Sequence, residues 1–484
     1  MTRIDPIDPI DPIDPIDPID DIDTLPLRDM VGLQRRGRLT SRALAEHYLA
    51  RIARRNPEVN AIIEQAAPER VLAEADAADA ALRRGQLQGP LHGVPLSFKD
   101  ACHVRGFHPS RGVRELHGKP SETSATVAQR LFDAGAIALG LSNVPEMCMA
   151  FDTDNLLYGR TLNPHHPDHS AGGSSGGEAA AIASGMSPGG LASDACGSVR
   201  VPAHFNGVCG LKLTQWRAPL TGQFPHDRSG LFHLSSSFGV MGRCVDDVAL
   251  LGKLISGPDG HDPDTVPAPF LDYRAQELAG LRIGIWQESS GPARPSAATT
   301  TLLQQAAALL DGAVASVEET TPPMMDEACD VLWKVLVLGG DSGRHWQHLF
   351  ADMNKHAFSA PLAQMLSSST QLEMSVDELR SALVMRDTVR YQLAALFRDI
   401  DVLISPVYPD VAFRHGESLR EPGAYRYVFP FSLTGSPAVV IPAGRCPQTQ
   451  LPIGLQLVGR HWDEHELLAV AAQLERRLPA WRPV

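Results

Sequence analysis

The sequence predicts an α/β protein in which helices cover both faces of a β-sheet. Three observations carry this. Short apolar runs closed by Gly or Pro alternate with longer Ala- and Leu-rich segments of helical period, the signature of strands interleaved with helices. The chain is 484 residues long with 43% hydrophobic residues, ample for a sizeable core. Two Gly/Ser clusters in the middle of the chain each stand at the mouth of a helix-forming run.

The chain begins with a segment unlike the rest. Residues 4–18 repeat Ile-Asp-Pro five times. Proline at every third position removes backbone donors and forbids a helix, and the segment has too little apolar mass to bury. Residues 1–27 therefore read as a disordered tail, with the folded part as a single domain over 28–484. The tail holds eight Asp and one Arg, which is −7 of the net −13, so the folded part is only mildly acidic.

After the tail, residues 29–54 read as a pair of amphipathic helices, with Thr40-Ser41 as a cap. Pro57–Ile63 reads as a first strand and 67–84 as an alanine-rich helix. Gly89-Pro90 breaks that helix before an apolar run, Val94–Phe98, which leads into Lys99. Ser124–Arg130 reads as a helix and Phe132–Gly140 as a buried strand. Further strands fall at Leu281–Trp286, Asp401–Val407, Pro437–Pro442 and Ile453–Val458. Helices fall at 297–312 and 464–478. Residues 325–400 are helix-dominated, with Trp333, His345, Trp346, Phe350 and Phe358 among polar residues, and are the region expected to shape a substrate pocket.

Chemistry concentrates in Ser170–Glu178 and Asp194–Arg200. Ser174 and Ser175 lie between glycine pairs, and Ser198 follows Cys196-Gly197. Glycines beside a serine let backbone amides approach a ligand closely. A serine needs a base, because its hydroxyl is a weak nucleophile at neutral pH. Lys99, at the end of an apolar strand, is the upstream candidate, since burial can leave a lysine neutral near pH 7.

Three segments, Gly93–Asp100, Gly172–Glu178 and Asp194–Ala203, resemble the amidase signature family in residues, order and spacing, with 75 residues from Lys99 to Ser174 and 24 from Ser174 to Ser198. The similarity runs from about Arg28 to the C-terminus. It implies the large mixed sheet of that fold and a Ser198–Ser174–Lys99 triad with a cis bond before Ser174. It also implies an oxyanion site from the amides of Ala195, Cys196, Gly197 and Ser198, with Ser175 beside the substrate. Arg200 is implied to anchor the loop by pairing with Asp194. The activity implied is cleavage of a carboxamide C–N bond through an acyl-enzyme, with no metal or organic cofactor. Two positions depart from the family pattern: Leu141 stands where lysine is common, and Cys196 where glycine is common.

Other readings are weaker. Gly173-Ser-Ser-Gly-Gly177 also fits G-x-S-x-G, but the nucleophile elbow of α/β-hydrolases requires an apolar strand before it, and His165–Ala171 reads as a loop. His165, His166 and His169 in that loop read as solvated rather than as metal ligands. A non-catalytic binder is disfavoured by the intact triad. The catalytic A subunit of a glutamine-dependent tRNA amidotransferase shares the same motifs and stands as the alternative to a free-standing amidase.

Net charge −13 without a basic patch argues against a nucleic-acid partner. No apolar run reaches membrane-spanning length. Seven dispersed cysteines without a CxxC pair, and no signal-peptide pattern, point to a cytoplasmic protein. The expected partner is a small-molecule amide, with a homodimer as a further option.

Overall fold

The computed structural model describes residues 22–223 and 230–478. The Ile-Asp-Pro repeat lies outside the described residues. Thirteen strands are present among the described residues: β1 Ile62–Gln65, β2 Pro95–Lys99, β3 Ile137–Ser142, β4 Leu162–Asn163, β5 His166–Ser170, β6 Gly189–Asp194, β7 Cys209–Lys212, β8 Ser237–Gly242, β9 Arg282–Ile285, β10 Ser316–Glu319, β11 Val402–Pro406, β12 Ala438–Arg445 and β13 Pro452–Gly459. Eleven of them form one mixed sheet in the order β1-β3-β2-β6-β8-β7-β12-β13-β11-β9-β10, and β4 and β5 form a separate hairpin. β2 runs parallel to both β3 and β6, and β9 runs parallel to β10 and β11.

Successive residues of a strand point to opposite faces, so a sheet covered on both sides needs apolar residues at odd and even positions alike. β12 shows this. Val439 and Ile441 join one apolar cluster, while Val440 joins another on the opposite face. The first cluster packs under α1 Leu27–Arg35, α2 Ser41–Val59, α3 Pro68–Arg83 and α4 Thr126–Asp133. The second includes residues of α5 Gly176–Ala183 and α6 Arg200–Asn206. The α/β class with helices on both faces is thus observed.

Most sequence-predicted elements lie within a few residues of their expected places, and four differences have physical reasons. First, Pro57 does not start a strand. α2 continues through it to Val59, where Asn60 takes a left-handed conformation and Asn56 Oδ1 accepts from the amides of Ala61 and Ile62. Second, residues 22–27, assigned to the tail, are docked. The buried Arg243 guanidinium donates to the carbonyls of Ile22, Asp23 and Leu25, and the Leu27 amide donates to buried Asp247. Third, the segment before Ser174 is not a loop: its residues 166–170 are β5. That hairpin lies outside the main sheet and is not apolar, so the nucleophile-elbow context is still missing. Within the segment, His165 is half-buried, with its ring against the Asn206 carbonyl rather than fully solvated, and burial lowers its pKa to about 4. Fourth, the central strands β6, β7 and β8 have no counterpart in the sequence reading. They are glycine-rich because the layers approach closely there: a Cβ on Gly190 would lie 2.2 Å from the Ser97 carbonyl oxygen and from Glu178 Oε1.

The region 325–400 is helical as expected. It comprises α7 Met325–Val331 followed by a π-helical turn (Leu332–Val337), α8 Arg344–Asp352, α9 Ala360–Thr370 and α10 Val376–Leu396. A capping box of Ser375 and Glu378 starts α10.

Candidate active site

Parallel pairing sets the site. Ser97 and Phe98 of β2 align with Gly190 and Leu191 of β6, so Lys99 at the end of β2 comes level with the last residues of β6. Carboxyl ends of adjacent parallel strands are where open α/β sheets place their ligand sites.

Lys99 is 1% exposed. Its Nζ donates to Ser174 Oγ at 2.8 Å, to Ser193 Oγ at 3.0 Å and to the Ser193 carbonyl at 3.3 Å. Burial lowers its pKa to about 8, and the nearby Arg111 charge adds to the effect. The Gly173–Ser174 peptide bond is cis. Ser175 is the N-cap residue of α5; its amide donates to the Ser198 carbonyl at 3.2 Å and its hydroxyl to the Ser193 carbonyl at 3.3 Å. These bonds tie the first serine cluster to the second.

Asp194 and Arg200 hold the turn that presents Ser198. Arg200 Nε and Nη2 each donate to the Asp194 carboxylate at 2.9 Å, and both side chains are fully buried. The carboxylate also accepts from the amides of Gly197 at 2.7 Å and Val199 at 3.1 Å. Burial alone would raise its pKa, but the Arg200 charge and these bonds outweigh that and hold it well below the usual carboxylate range. This geometry corrects one expectation: the Gly197 amide is engaged by Asp194 and is not free for an oxyanion. Among the described residues, the amides of Ala195, Cys196 and Ser198 have no acceptor. Gly197 has φ +105° and a Cβ there would lie 2.9 Å from Val428, so glycine is required at the turn. Cys196 is buried, which pushes its thiol pKa up, away from a thiolate.

Ser174, Ser193 and Ser198 open into one cavity with about 580 Å³ of empty space, mouth included. Its walls include Met149, Phe151, Phe232, Val337 and Met365, the last two from the helical region. A largely apolar cleft with a few convergent polar groups is the usual form of a small-molecule site. Among the described residues, no group of three His, Cys, Asp or Glu side chains is placed to hold a metal, and no helix is long and apolar enough to cross a membrane.

The family model described as Amidase matches residues 43–468. The chain belongs to the amidase signature family. It is 31% identical to the A subunit of the glutamyl-tRNA(Gln) amidotransferase of Synechococcus sp. (strain CC9902), covering 91% of this chain and 94% of that protein. It is 32% identical to the corresponding subunit of Chloroflexus aggregans, covering 91% and 93%. Among solved structures, that of a vestigial protein complex revealing the evolutionary origins of an s-triazine catabolic enzyme superposes with a TM-score of 0.84 at 30% identity, over 95% of this chain and 100% of that one. A crystal structure of an amidase gives 0.80 at 28% identity, over 94% and 100%. As a member of this family the chain is an enzyme of amide C–N bonds.

Sequence reasoning missed three residues of the candidate site. Ser193 sits beside Asp194 but gains meaning only through the pairing of β6 with β2. Glu178 reads in the sequence as an ordinary helix residue; in the structure it is fully buried and accepts from Ser97 Oγ at 2.5 Å and Ser142 Oγ at 2.6 Å. Burial raises its pKa to about 7, against those bonds and the Lys99 charge. An acid in an Ala-rich, otherwise apolar helix is the signal that could have found it. Arg111, the third, lines the cavity.

Proposed function

We propose that this chain cleaves a carboxamide C–N bond through an acyl-enzyme on Ser198, with Ser174 and Lys99 as the proton relay. The observation that carries this reading is the 2.8 Å contact between a buried lysine of lowered pKa and Ser174 Oγ, in a cavity shared with Ser198. Neutral Lys99 takes a proton from Ser174 as Ser174 takes one from Ser198. Ser198 Oγ then attacks the amide carbonyl carbon. The amides of Ala195, Cys196 and Ser198 are available to the oxyanion, preorganised by the Asp194–Arg200 clamp. Reversal of the relay delivers the proton to the leaving nitrogen, the C–N bond breaks, and water, deprotonated by the same relay, releases the acid. Ser198, 8% exposed, is the most accessible of the three relay residues.

A second reading is favoured by the curated relatives named above: the catalytic A subunit of a glutamine-dependent tRNA amidotransferase. The chemistry at Ser198 is the same, but the ammonia passes to a substrate held elsewhere in the complex, and the expectation of no nucleic acid would then apply to this chain rather than to its complex. Seven cysteines without a disulfide fit a cytoplasmic setting for either reading.

One experiment tests both. Purified protein is assayed for ammonia and amine release from a panel of amides that includes glutamine, with co-purifying subunits identified. Turnover by the isolated chain, abolished in a folded Ser198→Ala variant, supports the first reading. Glutaminase activity that requires a co-purifying subunit supports the second. Normal turnover by folded Ser198→Ala refutes both.

A further inference from the structure

Arg111 stands twelve positions after Lys99 and lines the cavity that holds Ser174 and Ser198. Its backbone is pinned on both sides. The Asp100 carboxylate accepts from the Ser110 amide and hydroxyl and from the Gly112 amide, and the Arg111 carbonyl accepts from the Met147 amide. Arg111 itself holds a left-handed φ of +49°. The side chain this fixed loop presents is 7% exposed, and its Nε is wholly buried without a partner. Among the described residues, no carboxylate, carbonyl or hydroxyl accepts from its guanidinium.

The other buried arginines behave differently. Arg200 is held by Asp194, and Arg217 by Glu464 and three carbonyls. A guanidinium keeps its charge, and burying it unpaired is costly. An unpaired arginine on the wall of a substrate cavity is suited to an anionic group of the substrate.

We propose that Arg111 is a subsite for a carboxylate carried by the substrate, so that the amides cleaved at Ser198 are short acids bearing both a carboxamide and a free carboxylate. The planar guanidinium matches a carboxylate with two parallel N–H···O bonds, and such an ion pair orients the molecule with its amide end toward Ser198. The apolar wall of Met149 and Phe151 suits an aliphatic spacer between the two ends. This assignment rests on the amide-cleaving reading above.

The test compares kcat/KM for malonamate, succinamate and glutaramate with that for the corresponding neutral diamides. Wild-type protein should prefer the best-fitting acid by about 100-fold, within the range lost when one partner of a buried, hydrogen-bonded charge pair is removed. Arg111→Gln should bring that ratio close to one, and Arg111→Lys should give an intermediate value, keeping charge but losing the fork. Equal rates for acid and diamide in the wild type, or an unchanged preference in Arg111→Gln, overturn the proposal. Calorimetric titration of succinate into wild type and Arg111→Gln is the second measurement. Binding by the wild type that the substitution abolishes supports the subsite, and absent or equal binding overturns it. Fluorophosphonate labelling of Ser198 separates the two levels: unlabelled protein that cleaves no amide removes the functional reading, while the succinate titration still decides Arg111.

Discussion

Asp194→Asn is the substitution whose cost can be worked out most directly. The carboxylate receives four N–H bonds: Gly197 N and Arg200 Nη2 on Oδ1, and Val199 N and Arg200 Nε on Oδ2. Whichever way an asparagine amide is placed, two of the four are lost and its NH2 group faces two donors. Arg200 remains bonded to the Val428 carbonyl, Gln456 Oε1 and Ser432 Oγ, but its charge is left uncompensated with no exposure. Breaking a buried pair from one side costs about 3–5 kcal/mol, a large part of the roughly 5–15 kcal/mol that holds a typical domain. The pH dependence has a definite sign. The Asp194 pKa is depressed on folding, so its contribution is fully present above the unfolded-state value of 3.8 and is lost only as pH falls through the lower folded value. The deficit of Asp194→Asn should therefore be constant from pH 8 down to about pH 5. Urea unfolding followed by tryptophan fluorescence measures it. Adding Arg200→Met should cost about 1–3 kcal/mol less than the sum of the single changes, because the stranded charge goes with it. A single-variant loss under about 1 kcal/mol would refute the description of the pair as a buried, mutually dependent clamp.

Other outcomes follow from the same structure. Because Lys99 must be neutral to accept a proton and its pKa is about 8, kcat/KM should rise about tenfold per pH unit below 8 and level off above it; a flat profile between pH 6 and 8 contradicts that role. Lys99→Arg should lose about 10²–10⁴-fold, measured as amide turnover, since arginine stays charged. Removing residues 2–21 should leave the melting temperature nearly unchanged. Removing 2–26 strips the carbonyls from Arg243 and should cost about 2–4 kcal/mol; equal melting temperatures for the two truncations would show that 22–26 contribute nothing. Cys196→Ala should keep most activity, because burial disfavours a thiolate there; a folded Cys196→Ala variant as inactive as Ser198→Ala would end a purely serine-based mechanism.

How far the sequence can be read depends on the range of the interactions involved. Helices such as 68–83 and 464–475 are legible because periodicity and propensity are local. Lys99, Ser174, Ser198 and the Asp194–Arg200 pair are legible through family resemblance in contiguous motifs. The strands β6 to β8 are not, because glycine lowers strand propensity and its reason for being there, close approach to Glu178 and Ser97, exists only after folding. Ser193 and Arg111 are hidden for a related cause. Each acquires its surroundings from segments far along the chain, Ser193 from β2 and Arg111 from the cavity walls. The engaged Gly197 amide is hidden too, since four consecutive amides look equivalent until Asp194 claims one.

The helical excursion between β10 and β11 has an architectural consequence. The chain leaves the sheet at its edge strand β10 and returns on β11, with β9 lying between them in the sheet. Within that loop lie Val337 and Met365 of the cavity wall, whereas Lys99, Ser174, Ser193, Asp194 and Ser198 all lie upstream of it. The residues proposed to react and part of the cavity wall thus occupy separate stretches of one polypeptide. Changes within residues 325–400 can therefore alter the cavity wall at Val337 and Met365 without touching the sequence of β2 or β6.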